Sequence, residues 1–210
     1  MAGPSKIAGR PLNLMRILCM VRANRPQGRT EFNERRELMS LYDATIPVFD
    51  QLLGALSAII DKAKAHAEAR KIDAAALTGA RLRPDMFPLV KQVQVACDWA
   101  KNVGARLSGS EPPKFEDKEA TFDDLKARIA ATLEYIKGLK KQDIDAGAER
   151  TVFFPLGPNK MKMKGSDYAF HLALPNFYFH VTTAYGILRH SGLDIGKRDF
   201  MGAAPGISPA

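Results

Sequence analysis

The residues best equipped for chemistry are gathered near the C-terminus, in the stretch 175–202. His180, Thr182, Thr183, Tyr185 and His190 fall there on one helical pattern, with Gly186 among them. Histidine is the side chain that exchanges a proton nearest neutral pH. Partly buried, it serves as a general base, a metal ligand or a hydrogen-bonded core residue. Phe177, Val181, Ala184 and Leu188 define the face expected in the core, and His180 borders that face. Tyr185 shares a flank with Tyr178 and Thr182. Gly186 in mid-helix costs about 1 kcal/mol relative to Ala unless a ligand or another backbone packs closely against it. His190 falls in the last turn, beside the exposed carbonyls, and Gly192 is the expected stop.

Other polar residues join this stretch as candidates. Arg83 would attract an anion, Asp85 would cap the following helix or orient Arg83, and Gln92 offers an amide on that helix. No Glu-x-x-His and no His-x-x-x-His spacing occurs, so no zinc or di-iron set can be assembled by motif. Cys19 and Cys97 have neither metal-like nor redox-pair spacing, which suggests a reducing, cytoplasmic setting. Lys160, Lys162 and Lys164 alternate with Met161 and Met163. The pattern fits a guarded edge strand better than a phosphate-binding ribbon.

The elements that must position these groups are mostly helices. Phe49, Leu52, Leu53, Leu56, Ile59, Ile60 and Ala63 recur at three-and-four spacing within a helix expected over 41–70, with Pro47 near its start and His66 on its polar side. An extended connection with Pro84 and Pro88 leads to a second helix ending near Ser108. Val90, Val93, Cys97, Ala100 and Leu107 form its buried stripe, with Gln92, Gln94 and Trp99 off it. Thr121 caps a third helix, amphipathic and without evident chemistry. The period then shortens to two: Thr151–Phe154 and Lys160–Lys164 flank a Gly157-Pro158 turn, predicting a hairpin with methionines inward. Ser166 is expected to cap a short helix, and Pro175 to break it before the last one, 176–190.

The net charge of +8 is concentrated in the leader: residues 1–38 hold eight Lys and Arg against three Glu, leaving only +3 for the rest. That distribution argues against nucleic acid as a partner, and no apolar run approaches the ~20 residues of a bilayer span. The leader reads as a targeting segment, a disordered basic arm or a start assigned too early. Met39-Ser40, directly before the first clean helical pattern, favours the last of these. The expected organisation is a leader over 1–38, a helical domain over 39–202 and a flexible tail over 203–210.

Three segments carry a resemblance: Arg-Leu-Arg-Pro-Asp-Met-Phe-Pro-Leu (81–89), Phe-Phe-Pro-Leu-Gly-Pro-Asn-Lys-Met (153–161) and Phe-His-Val-Thr-Thr-Ala-Tyr-Gly-Ile-Leu-Arg-His-Ser-Gly (179–192). With four helices around them, they resemble a domain-of-unknown-function family within the DinB/YfiT-like superfamily of metal-dependent helical bundles. The resemblance implies an all-α, up-down-down-up four-helix bundle, here with a small hairpin before the last helix, and a homodimer. It also implies a divalent metal held by one His on the second helix and a His-x-x-x-His pair on the last. Some members transfer low-molecular-weight thiols. This chain departs from the ligand pattern: the second helix offers Gln92 and Gln94, and the position four after His180 is Ala184. His180 alone carries over as a metal ligand. The functional expectation is therefore a small-molecule site, for an anion or a thiol, near His180, Tyr185, Gln92, Arg83 and Asp85, with His190 at the helix end. The alternative is a noncatalytic, dimeric structural or stress-response protein.

Overall fold

The computed structural model describes residues 40–208, so the readings placed on the leader lie outside the described residues. Helix α1 spans Leu41–Arg70, and the Ser40 hydroxyl caps it by accepting the Asp43 amide at 3.1 Å. All seven apolar positions picked out by its periodicity are buried. Pro47 lies inside the helix and leaves one carbonyl without its usual intrahelical donor. By length and composition α1 could cross a bilayer, although half of its most apolar window is buried in the protein. Phe49, for instance, packs edge-on against Phe177 at 4.7 Å between ring centres.

The connection after α1 is less extended than its prolines suggest. Asp73 caps a short helix α2, Ala74–Thr78, because a run of alanines behind a capping carboxylate is a good helix start. Helix α3, Leu89–Ser108, begins behind Pro88 with no side-chain cap, so Asp85 does not cap it. Asp85 faces Arg83 instead, 3.8 Å away. Gln92 and Gln94, expected off the buried stripe, are 1% and 4% exposed. Helix α3 is covered by helices on two sides and by a returning loop, so its buried arc is wider than one stripe. Cys97 is fully enclosed in that arc, and burial pushes its thiol up to about 12, which leaves it an inert core side chain.

Helix α4, Phe122–Lys137, starts with a reciprocal capping box between Thr121 and Asp124. A short helix α5, Lys141–Asp145, leads to the hairpin of β1, Thr151–Leu156, and β2, Asn159–Lys164. The strands pair antiparallel, Val152 opposite Met163 and Phe154 opposite Met161. Val152 and Phe154 are buried, but Met161, nearer the turn, is 42% exposed, so the methionines are not both inward. Ser166 does not cap the next segment. Helix α6, Gly165–Asp167, starts directly from β2 and runs through a π-helical turn, Tyr168–Ala173, into α7, Leu174–His190. Pro175 does not break this run, because it occupies the first turn of α7, beside the widened turn, where a missing amide costs least. Helix α8, Lys197–Met201, folds back on α1 through Lys62 to Asp199 at 2.5 Å and the Gln51 amide to the Met201 carbonyl at 2.7 Å.

The long helices form the expected bundle, and side-chain pairs give their directions. Lys64 to Asp123 and Lys137 to Asp50 set α4 antiparallel to α1. His180 to Gln92 and Tyr168 to Arg106 set α7 antiparallel to α3. Helices α3 and α4 are neighbours, whereas α1 and α3 touch little. The strap joining α3 to α4, residues 109–121, runs back along α3. Ser110 bonds Ala105, the Pro113 carbonyl accepts from Lys101, and Glu119 accepts from Gln94. Helices α3 and α4 are therefore parallel, which completes up-down-down-up. Extended chain at ~3.3 Å per residue reaches about 43 Å over the strap, enough to retrace a helix of about 30 Å.

Arg128 of α4 ties this strap down. Its side chain is 2% exposed and donates to Asp98 at 2.9 Å, Glu119 at 2.9 Å, Asp117 at 3.3 Å and the Glu116 carbonyl at 3.3 Å. Burial alone would lower the guanidinium pKa, but Asp98 and Glu119 outweigh it and raise the pKa, so the charge persists. The helix expected to show no chemistry thus carries the best-connected buried charge among the described residues.

Candidate functional site

Of the residues singled out for a site, the fold joins two directly. Gln92 faces His180 because α3 and α7 pack antiparallel at that level. Imidazole Nδ1 and Gln92 Oε1 lie 2.7 Å apart. The amide nitrogen of Gln92 donates to the Phe87 carbonyl at 3.1 Å, and that fixes the amide's orientation. Oε1 must then accept, so Nδ1 carries the proton and Nε2 keeps its lone pair. Nε2 has no protein partner among the described residues. Phe179 stands edge-on to the imidazole at 5.2 Å and is 55% exposed, while Phe87 is 50% exposed. One half-open ring, Phe179, thus adjoins the held imidazole, and Phe87 reaches it through its backbone and Gln92.

Burial lowers the His180 pKa from its ordinary 6.5 to about 4, so the ring is uncharged at neutral pH. The sign of the pH effect follows. Between pH 6.5 and 4 the unfolded chain binds the proton that the folded one refuses. This contribution to stability is complete above 6.5 and is lost as pH falls through the folded value. With a discount for partial solvent access, it amounts to about 2 kcal/mol. Urea unfolding at both ends of this range should show the loss in the wild type and a smaller one in His180→Gln. Equal losses would remove His180 as its source.

The other candidates lie apart from this pair. Arg83 and Asp85 are both well exposed and engage each other across the connection. Tyr185 is half-buried against the Phe200 ring at 5.7 Å, so it helps dock α8. His190 is exposed in the last turn of α7, about 15 Å along the axis from His180. Gly186 does not have the close neighbour its position suggested. A β-carbon there would touch only Leu82 Cδ1, at an ordinary 3.5 Å. Gly186→Ala should therefore stabilise the protein by about 0.5–1 kcal/mol through helix propensity, measured as a raised melting temperature.

A divalent metal, implied by the resemblance, does not fit the donors present. Among the described residues no group of three or more His, Cys, Asp or Glu side chains is arranged to hold an ion. His180 has an amide on one side and Ala184 one turn on, where a second imidazole would stand. Among the described residues, cavities lined by other side chains lie elsewhere. They flank the hairpin, the end of α1 and the middle of α3.

Sequence reasoning missed two features. Arg128 sits three residues after Leu125 and one before Ile129, and a lone charge on a core stripe was the available signal. Arg106, in the last turns of α3, donates to the Tyr168 hydroxyl at 2.6 Å and had no local signal at all, since its partner is 62 positions away.

Comparison with known proteins agrees with this architecture. The family described as a domain of unknown function, DUF1993, matches residues 41–201. A crystal structure of a DinB family member protein from Shewanella denitrificans is 44% identical, covers 80% of this chain and 96% of that one, and superposes with a TM-score of 0.73. No curated protein matches the chain. By sequence and by fold, the chain belongs to the DUF1993 family, a domain of unknown function within the DinB-like helical bundles.

Proposed function

We propose that the protein binds a small molecule carrying a hydrogen-bond donor, a thiol before an anion, at His180. The observation that supports this is the relay from the Phe87 carbonyl through Gln92 to His180, which holds an uncharged imidazole with Nε2 as acceptor. A neutral acceptor attracts no anion, but it suits an S–H or O–H donor. The apolar ring of Phe179, edge-on to the imidazole, suits the low polarity of a thiol. Binding needs no metal on this reading. A protein bearing a stoichiometric metal in the wild type but not in His180→Ala would count against it. The reading also takes the protein as a homodimer, as its resemblance to DinB-like proteins implies, to be checked by light scattering after size exclusion.

Thermal melting tests it directly. Glutathione and N-acetylcysteine should raise the wild-type melting temperature, their S-methyl counterparts should not, and His180→Ala should not respond. Equal responses in wild type and His180→Ala would sink it. A second reading, a noncatalytic structural role, is favoured by one fact: Gln92 is satisfied by protein on both sides and staples the 79–88 connection to α7. It expects Gln92→Ala to lower the melting temperature while no thiol shifts the wild type.

A further inference from the structure

The hairpin leaves a groove against the end of α3, of about 490 Å³, lined by Arg106, Ser110, Pro112, Phe153, Phe154 and Lys160 among others. Arg106, Phe154 and Pro155 also line a smaller cavity of about 180 Å³, which reaches Trp99 and Asn102. The two therefore share one wall. From Gln92 to Arg106 is 14 positions along α3, about 21 Å, so the groove is separate from His180.

Charge and shape indicate what this groove would take. Arg106 is held in place by its bond to the buried Tyr168 hydroxyl at 2.6 Å, and its guanidinium lies 5.7 Å from that ring centre. It pairs with no carboxylate among the described residues, which leaves most of its five N–H donors for a ligand. Lys160, at the rim, lies over the Phe153 ring at 5.1 Å and likewise pairs with no carboxylate among the described residues. Two acidic residues belong to the same surface. Asp98 is engaged by Arg128 at 2.9 Å and Lys101 at 3.4 Å, which leaves Glu111 as the opposing charge. The remaining walls set proline and aromatic rings beside the polar Ser110 and Asn159, with Asn102 in the smaller cavity.

We infer that this groove is a binding site for a small organic carboxylate with a ring-sized apolar body, its carboxylate on Arg106 and Lys160 and its ring between Pro112, Phe153 and Phe154. Arg106 supplies a fixed fork matched to a carboxylate, and the proline and aromatic rings offer a rigid face to the ligand's ring. The reading is independent of the thiol site.

Trp99, the single tryptophan of the chain, reports on it directly. Titration of the full-length protein with phenylacetate should change Trp99 emission saturably, and phenylacetamide, which lacks the charge, should bind at least tenfold more weakly, as expected for loss of a charge-assisted contact. Lys160→Met should weaken phenylacetate several-fold, and Glu111→Gln should tighten it roughly twofold. Arg106→Met should abolish the response. Should it unfold, shown by circular dichroism, the two rim variants decide alone. His180→Ala should leave the titration unchanged, which separates this site from the other. No saturable change in the wild type, equal affinity for acid and amide, or indifference to Lys160→Met together with Glu111→Gln would each overturn the proposal.

Discussion

Replacing Arg128 with Met is expected to lower the free energy of unfolding by about 3–5 kcal/mol, the range for removing one partner of a buried charge network. The damage would come from what stays behind. Glu119, with a side chain only 9% exposed, keeps the Gln94 amide at 2.6 Å but loses its countercharge, and Asp98 keeps only Lys101, at 3.4 Å. The strap over 109–121 has no helix or sheet of its own, so side chains must satisfy its backbone. Lys101 serves the Pro113 carbonyl, Arg128 that of Glu116 and Thr78 that of Ala120. Pairing Arg128→Met with Glu119→Met should recover part of the loss, since the stranded carboxylate goes too. Urea denaturation reads both. A single-variant loss under about 1 kcal/mol would mean that the strap is held by its rim contacts.

Gly165→Ala is expected to cost about 3 kcal/mol, at the upper end for overpacking, and to lower the melting temperature by roughly 6–12 °C. A β-carbon there would overlap the Gly147 carbonyl oxygen, and one at Gly147 would overlap the Leu107 carbonyl oxygen. Three backbones cross at this point: the end of α3, the segment after α5, and the start of the run into α7. Backbone atoms cannot swing aside as a side-chain tip can. The crossing is closed by Gly165 N to the Arg150 carbonyl at 2.8 Å, Ser166 N to the Ala148 carbonyl at 2.9 Å, and the Arg150 guanidinium on the Leu107 carbonyl. Gly54→Ala is the control, since nothing lies within 4 Å of its added carbon and it sits in mid-helix. Equal melting temperatures for the two variants would refute the crossing as a constraint.

What the sequence made legible follows from the range of the forces involved. Helices α1, α3, α4 and α7 could be read because burial repeats every three or four residues, and the ends at Thr121, Gly109 and Gly192 because caps are local. Gln92 and His180 were named together only through the resemblance and a shared candidate pocket. Their bond spans 88 positions and leaves no local trace. Gly186 reverses its expectation most clearly: the glycine that looked costly in mid-helix has room beside it, whereas Gly165, to which no sequence signal pointed, has none. Arg83 and Asp85, two positions apart across Pro84, pair with each other at 3.8 Å, the second of the two roles expected for Asp85, and both stay well exposed.

The π-helical turn over Tyr168–Ala173 has a further consequence, for angular phase. In an uninterrupted α-helix, residues 12 apart point about 120° away from each other, so Tyr168 and His180 could not both face α3. A π turn takes up one residue more than an α turn, which subtracts about 100° and brings the two nearly into line. The turn therefore acts as a one-residue insertion that lets a single helix address α3 twice, with Tyr168 on Arg106 and His180 on Gln92. Deleting one residue within 168–173 would remove the wide turn and leave the two positions 11 apart in plain α-helix, about 20° out of line, so both bonds should survive; keeping the length but forcing the turn into α-helix would swing one side chain away.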